Sequence, residues 1–467
     1  MNKQISAFIV ALLVTLAFGQ PARAADEASE AEYKERLARY DFKNEPDDHK
    51  KMAAWCKRSY PTKYHFHVTA YNKYLFSQDV ARLPATPTAN HYKTLEEKAL
   101  KLELPEEAQH YLGKWGELQY AGFEKRLKPG DVKMMKQLIE WCEKNKIGFI
   151  PPARKLAAEI LTHDAEYALS RKLLGHIQWK GGWTSLEDAI ASIKITSIQD
   201  RIALHKAAAD ARSKIAIDYP AKPFQGMDSQ GGYYLFSPRK SPGAQFFVHA
   251  NGYSAKKPCR LILSLHGGGG GDFAQAKDYA SIAIKSWTRQ RGDHVVLTPI
   301  ATRHVVEAWR SKSNTMEILD AMEEICERFN IDRKRIYVTG HSMGGAGTTT
   351  WYNAFPEFAA ASCGRAGWFY FYKMQGDLLK KPIMIIQGES DTAKRVKSKQ
   401  DFLKMASQCN GNVTNISLKG FGHDLPDDVV YPKFLPFFDE HTNDIEPDFD
   451  VIRAAARKWM TDDLRPN

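Results

Sequence analysis

The chain lacks most of the features that would settle its class at a glance. Cysteine is scarce, with six in 467 residues (Cys56, Cys142, Cys259, Cys326, Cys363 and Cys409). Its folding must therefore rest on hydrophobic cores and not on a disulfide scaffold, and the sequence does not choose among the possible pairings. Neither C-x-x-C nor H-E-x-x-H occurs, so no metal is expected, and no cofactor. The 22 Pro and 31 Gly are ordinary for this length and exclude collagen-like or low-complexity chains. The net charge of +11 is spread along the chain without a dense Lys/Arg block, which argues against a nucleic-acid partner. Beyond the N-terminus no apolar run is long enough to span a bilayer. That first run has Lys3 ahead of the apolar stretch Ile5–Phe18 and an A-x-A site at Ala22-Arg23-Ala24. This order of features marks residues 1–24 as a signal peptide and predicts a secreted or periplasmic protein.

What is present is a globular composition, 43% hydrophobic, enough for two or three domains of ~100–200 residues. Residues 25–219 read as a charged, all-α domain. Between Asp131 and Lys146, Met135, Leu138, Ile139 and Cys142 recur on one helical face. Gly130-Asp131 supplies a start, and Gly148 with Pro151-Pro152 a stop and restart. Trp55-Cys56 and Trp141-Cys142 each fall late in an amphipathic stretch, a faint internal echo. From residue 220 to 467 the character changes. Short β-rich runs at Tyr233–Phe236 and Gln245–Val248 come first. Apolar strands at Arg260–Leu265, His294–Leu297, Arg335–Thr339, Pro382–Ile386 and Val413–Leu418 then alternate with amphipathic helices such as Phe273–Trp287 and Thr315–Phe329. Such alternation predicts a mostly parallel sheet covered on both faces. Because every strand lies beyond 219, residues 220–467 are expected to fold alone.

Three segments of this α/β domain carry chemistry. Gly340-His341-Ser342-Met343-Gly344-Gly345 matches G-x-S-x-G between a strand and a helix. Small flanking residues there permit the tight turn that lifts a serine above the sheet. A serine needs a base, and the base an orienting acid. Asp391 follows the strand ending at Ile386, and His423 follows the strand ending at Leu418, both at carboxyl ends where ligands meet an open α/β sheet. Glu389 is the rival acid and His441 the rival base, whereas His341 reads as structural. His266 and the five glycines Gly267–Gly271 follow the strand Arg260–Leu265, and their bare backbone N–H groups can face a developing oxyanion alongside that of Met343.

In sequence, the segments LHGGGG, RIYVTGHSMGG, QGESD and GFGHD resemble the α/β-hydrolase superfamily. The likeness is strongest to its exported polyhydroxybutyrate-depolymerase-like and feruloyl/acetylxylan-esterase-like branch, which merges into prolyl-oligopeptidase-like peptidases. It spans about Tyr233 to Trp459. The resemblance implies an α/β-hydrolase fold with Ser342 as nucleophile, Asp391 as acid, His423 as base, and Gly267, Gly268 and Met343 as oxyanion hole. It further implies hydrolysis of a small-molecule or polymer ester. One departure stands out: where many relatives carry Val-Pro after the acid, this chain has Thr392-Ala393-Lys394-Arg395-Val396. Residues 25–219 loosely resemble tetratricopeptide-like helical modules, which implies docking of a protein or polysaccharide. A serine peptidase is the alternative, although such relatives usually carry a β-propeller and this chain lacks its repeated strands. A non-catalytic binding protein is the second alternative. The aromatic run Trp368–Tyr372 reads either as a substrate wall, through Trp368 and Tyr370, or as a cap over the sheet, and Trp309 invites the same two readings.

Overall fold

The computed structural model describes the chain apart from residues 1–31, 43, 60–63, 103, 214–218, 220–222, 224–228, 231, 239, 242–243, 269–272, 291, 302–307, 370–379, 409–410 and 461–467. The expected signal peptide, Gly269–Gly271, Tyr370 and Cys409 thus lie outside the described residues. The chain divides after Leu156 into two compact units. No helix among the described residues is long and apolar enough to cross a membrane.

The first unit is helical: α1 (Asp47–Ser59), α2 (Tyr64–Ala81), α3 (Ala89–Lys101), α4 (Pro105–Glu124), α5 (Val132–Lys144) and the start of α6 (Pro151–His163). Helix α5 forms as its pattern predicts. The Asp131 side chain caps it by accepting from Met134 N–H at 3.0 Å, and Met135, Leu138, Ile139 and Cys142 are its buried face. Helix α1 packs on α2, and α3 on α4, the latter around Phe76, Leu95, Ala99, Leu104 and Ala108.

The second unit opens with α7 (Ala168–Leu173), an antiparallel hairpin of β1 (His176–Trp179) and β2 (Gly182–Ser185), α8 (Leu186–Ala191) and α9 (Ile198–Ser213). Its centre is a nine-stranded sheet. In chain order the strands are β3 (Ser229–Gln230), β4 (Tyr233–Phe236), β5 (Phe246–Asn251), β6 (Cys259–Leu265), β7 (His294–Pro299), β8 (Ile331–His341), β9 (Ala361–Arg365), β10 (Ile383–Gly388) and β11 (Val413–Leu418). In space they run β11-β10-β9-β8-β6-β7-β5-β4-β3. From β7 through β6, β8, β9 and β10 to β11 every pairing is parallel, and β5 is antiparallel to both β4 and β7. With the short edge strand β3 set aside, this is the strand order of the α/β-hydrolase fold.

The helices between strands are α10 (Phe273–Thr288), α11 (Lys312–Arg328), α12 (Met343–Ala354), α13 (Ala393–Gln408), α14 (Asp427–Asp439) and α15 (Phe449–Trp459). Alternation along β6 sorts them onto two faces. Leu261, Leu263 and Leu265 join Ile318, Met322 and Ile325 of α11 and Phe449 and Ile452 of α15. Ile262 joins Ala276, Ala280 and Trp287 of α10 and Tyr431, Phe434 and Phe438 of α14. A sheet buried on both faces reads as unbroken apolar runs, and all six residues of β7 are buried.

The domain boundary expected at residue 219 falls instead at 156. Segment 157–213 is built into the second unit through α9. Arg201 and Glu357 form a buried ion pair, His205 Nδ1 accepts from Asp448 N–H at 2.9 Å, and Arg212 pairs with Asp448. Leu204 shares a core cluster with Ile177, Ala189 and Val451. Burial of these groups couples the segment to α15 and to the loop after α12.

Candidate active site

Ser342 stands in the turn between β8 and α12 with φ 56° and ψ −115°. A non-glycine residue with positive φ carries strain that surrounding structure must hold in place. Close backbone contact supplies that constraint. A Cβ added at Gly344 would lie 2.0 Å from the Leu265 carbonyl oxygen, so only glycine lets the elbow sit against β6.

His423, in the loop after β11, places Nε2 2.8 Å from Ser342 Oγ and Nδ1 3.1 Å from Asp391 Oδ2. A carboxylate only accepts, so Nδ1 carries the proton and Nε2 is free to accept the serine O–H. The Asp391 side chain is wholly buried. Oδ2 also receives the Gln387 amide, while Oδ1 receives Thr392 N–H at 2.7 Å and Arg395 at 3.2 Å. Burial alone would raise the Asp391 pKa. Hydrogen bonds from His423 and Thr392, with the charges of His423 and Arg395, instead hold it below the usual carboxylate value.

The glycine loop meets the same point. Gly267 lies against the elbow, where an added Cβ would be 3.2 Å from Ser342 Cβ. Gly268 has φ +86°, and a Cβ there would enter the Tyr279 ring at 2.2 Å. Met343 opens α12, where a backbone N–H has no partner inside its helix. His266 fixes this loop: Nδ1–H donates to the Gly267 carbonyl at 2.7 Å and Nε2 accepts from Ala301 N–H at 3.2 Å. Burial pushes its pKa down to about 4, despite the bond to Gly267, so it stays neutral and keeps both roles. His341 plays a related part. Its Nε2–H donates to the His423 carbonyl at 2.9 Å, and burial, then the Arg365 charge, lowers its pKa to about 4.

The structure thus brings Ser342, His423, Asp391, Gly267 and Met343 to one point at the carboxyl edge of the sheet, with Gly268 next in the glycine loop. The rivals are elsewhere. Glu389 is exposed, and His441 Nδ1 bonds the Phe437 carbonyl. Trp309, read as a candidate substrate wall, is fully buried. Its ring meets His266 edge-on at 5.1 Å and fills the space in front of Gly347, where a Cβ would lie 2.5 Å from it. It packs against the His266 that holds the glycine loop. Trp368 is half-buried, with the Arg395 guanidinium 5.6 Å from its ring centroid. The supporting roles of His266 and Arg395 were not read from the sequence, although both flank recognised motifs. The five described cysteines are buried.

No protein-family model matches the chain, and no curated protein matches it. Among solved structures it is similar to a thermostable esterase, with 20% identity and a TM-score of 0.38, over 45% of this chain and 62% of the esterase. It is also similar to esterase 2 of Thermogutta terrifontis, with 13% identity and a TM-score of 0.35, over 46% of this chain and 94% of that one. A third is the fluorophosphonate-binding serine hydrolase F of Staphylococcus aureus, with 17% identity and a TM-score of 0.33, over 44% of this chain and 98% of that one.

Proposed function

We propose that the chain is a serine hydrolase that cleaves carboxylic esters through an acyl-enzyme on Ser342. The observation that carries this reading is the continuous relay in which His423 reaches Ser342 Oγ at 2.8 Å and Asp391 at 3.1 Å. In the first half-reaction Ser342 Oγ attacks the ester carbonyl while its proton passes to His423 Nε2. The oxyanion formed is held by the N–H groups of Met343 and of the Gly267–Gly268 loop. His423 then returns the proton to the departing alkoxide, which leaves as alcohol. In the second half-reaction His423 takes a proton from water, the hydroxide attacks the acyl carbon, and collapse releases the carboxylic acid with Ser342 reprotonated. Asp391 keeps its charge throughout and stabilises the imidazolium that forms twice per cycle.

The test is turnover of p-nitrophenyl acetate by the wild type and by Ser342→Ala. The variant should lose on the order of 10³-fold or more in kcat, together with labelling by a fluorophosphonate probe. Equal rates would end the proposal. Preference for short chromogenic peptides over esters would reassign the site to a serine peptidase. Export belongs to the same reading, supported by the Lys3, Ile5–Phe18 and Ala22–Ala24 pattern. A mature N-terminus at Ala25 would bear it out. The helical first unit is assigned the docking of a protein or polysaccharide, to be checked by comparing activity on soluble and polymeric esters with and without it.

A further inference from the structure

The segment that departs from the resembling enzymes, Thr392–Val396, puts a cation on the triad. Arg395 lies one turn beyond the acid near the start of α13, and its guanidinium reaches Asp391 Oδ1 at 3.2 Å. The same group lies over the Trp368 ring. Its Nε is buried and has no hydrogen-bond partner among the described residues. A buried N–H without an acceptor is costly, and the negative face of an aromatic ring offsets part of that cost. Trp368 therefore has a reason to be where it is that does not involve substrate.

The two oxygens of Asp391 have separate duties. Oδ2 takes His423 and Gln387, and Oδ1 takes Thr392 N–H and Arg395. The carboxylate torsion is broad by nature. Fixing one oxygen fixes the plane of the other, and with it the imidazole that must face Ser342.

We propose that Trp368 and Arg395 are positioning residues for the triad: the ring holds the guanidinium, the guanidinium holds Asp391 Oδ1, and Oδ2 is thereby kept for His423. The kinetic consequence rests on the serine-hydrolase reading above; the geometric one does not. A substrate wall acts on the KM of bulky substrates. A prop behind the acid acts on the kcat of every substrate.

The full chain is compared with Arg395→Gln, Arg395→Lys, Trp368→Leu and the double variant Arg395→Gln/Trp368→Leu, on p-nitrophenyl acetate and p-nitrophenyl butyrate. Arg395→Gln should lower kcat for both esters on the order of 10- to 100-fold while KM stays within about twofold, as expected when reacting groups are misplaced and binding is not. Arg395→Lys should recover part of the loss. Trp368→Leu should act in the same direction, and the double variant should be no worse than Arg395→Gln alone, because both break one chain of contacts. Trp368→Leu leaves both charges in place, so it keeps the test open if Arg395→Gln does not fold. A raised KM with kcat retained, or additive losses, would overturn the proposal in favour of a substrate wall. The low-field proton resonance of the His423–Asp391 hydrogen bond, assigned with His423→Gln, gives a readout independent of turnover. It should be lost in Arg395→Gln and retained in Arg395→Lys, and no change in Arg395→Gln overturns the proposal. A wild type that hydrolyses no ester yet shows this pattern would refute the hydrolase reading and leave the prop standing.

Discussion

Arg201 and Glu357, widely separated in sequence, meet in a two-pronged ion pair at 2.5 and 3.0 Å with side chains 1% and 0% exposed. The pair joins α9 to the loop after α12 inside the second unit. Removing one partner would strand a buried charge.

Arg201→Met is accordingly expected to destabilise the protein by about 3–5 kcal/mol, whereas the double change Arg201→Met/Glu357→Leu should cost much less. A fragment of residues 220–467, which lacks α9 altogether, should be insoluble or lack a cooperative melt. Urea denaturation of the variants and expression of the fragment check this. A folded, fluorophosphonate-reactive fragment would show that α9 is dispensable.

Gly268→Ala should retain the fold yet lose on the order of 10²- to 10³-fold in kcat, the usual cost of removing an oxyanion donor, the role proposed for this loop. The added methyl enters the Tyr279 ring and a positive φ disfavours it. Gly268→Ala combined with Tyr279→Ala relieves the collision but not the φ, so recovery should be partial. Circular dichroism beside ester turnover separates a displaced loop from an unfolded domain.

Stability should fall as the solution is acidified. Burial, above any other cause, holds His266, His294 and His341 at about 4, against 6.5 for a histidine free in water. The unfolded chain therefore takes up protons first. Each of these groups favours the fold above about pH 6.5, and that advantage is lost as pH drops toward 4. Burial would raise the Glu357 pKa, but His205 and Arg201 bring it down to about 2 from 4.5, so its contribution is present above about pH 4.5 and is lost below it. Melting temperatures from pH 8 to 4 should decline, and His294→Phe should flatten the decline. An unchanged slope in that variant would exclude His294 as a source.

His341→Leu should slow turnover about tenfold through kcat, because the donor that pins the His423 backbone carbonyl is gone while the nucleophile and base remain. Steady-state kinetics on p-nitrophenyl acetate would read it, and a change confined to KM would point to substrate contact instead.

The grouping of Ser342, Asp391 and His423 was legible because each follows a strand that the chain announces by an apolar run, and carboxyl ends of parallel strands share one edge. Helix α5 was legible for a similar reason, its four buried residues falling at helical spacing. The boundary was not. Arg201 and Glu357 are ordinary charged residues in their own segments, and nothing local signals that each is the other's counter-ion. Trp309 was also opaque, since an indole over a substrate and an indole behind a glycine loop have the same sequence context. Arg395 was visible as a departure, but its contact with Asp391 depends on the first turn of α13, which brings positions four apart onto one face.

His423 is delivered by the loop that follows the outermost strand. Among the described residues β11 lies at the sheet edge beside β10, and most of its residues are not fully buried. Edge elements with little apolar cover open at lower free energy than the centre of a sheet. Ser342, by contrast, follows the central strand β8, and its N–H donates to the Arg365 carbonyl of β9 at 2.9 Å. The link between Ser342 and His423 is therefore a weak one: mild denaturant is expected to part them while the interior is intact, and the parting should be reversible, because the strand has only to re-dock.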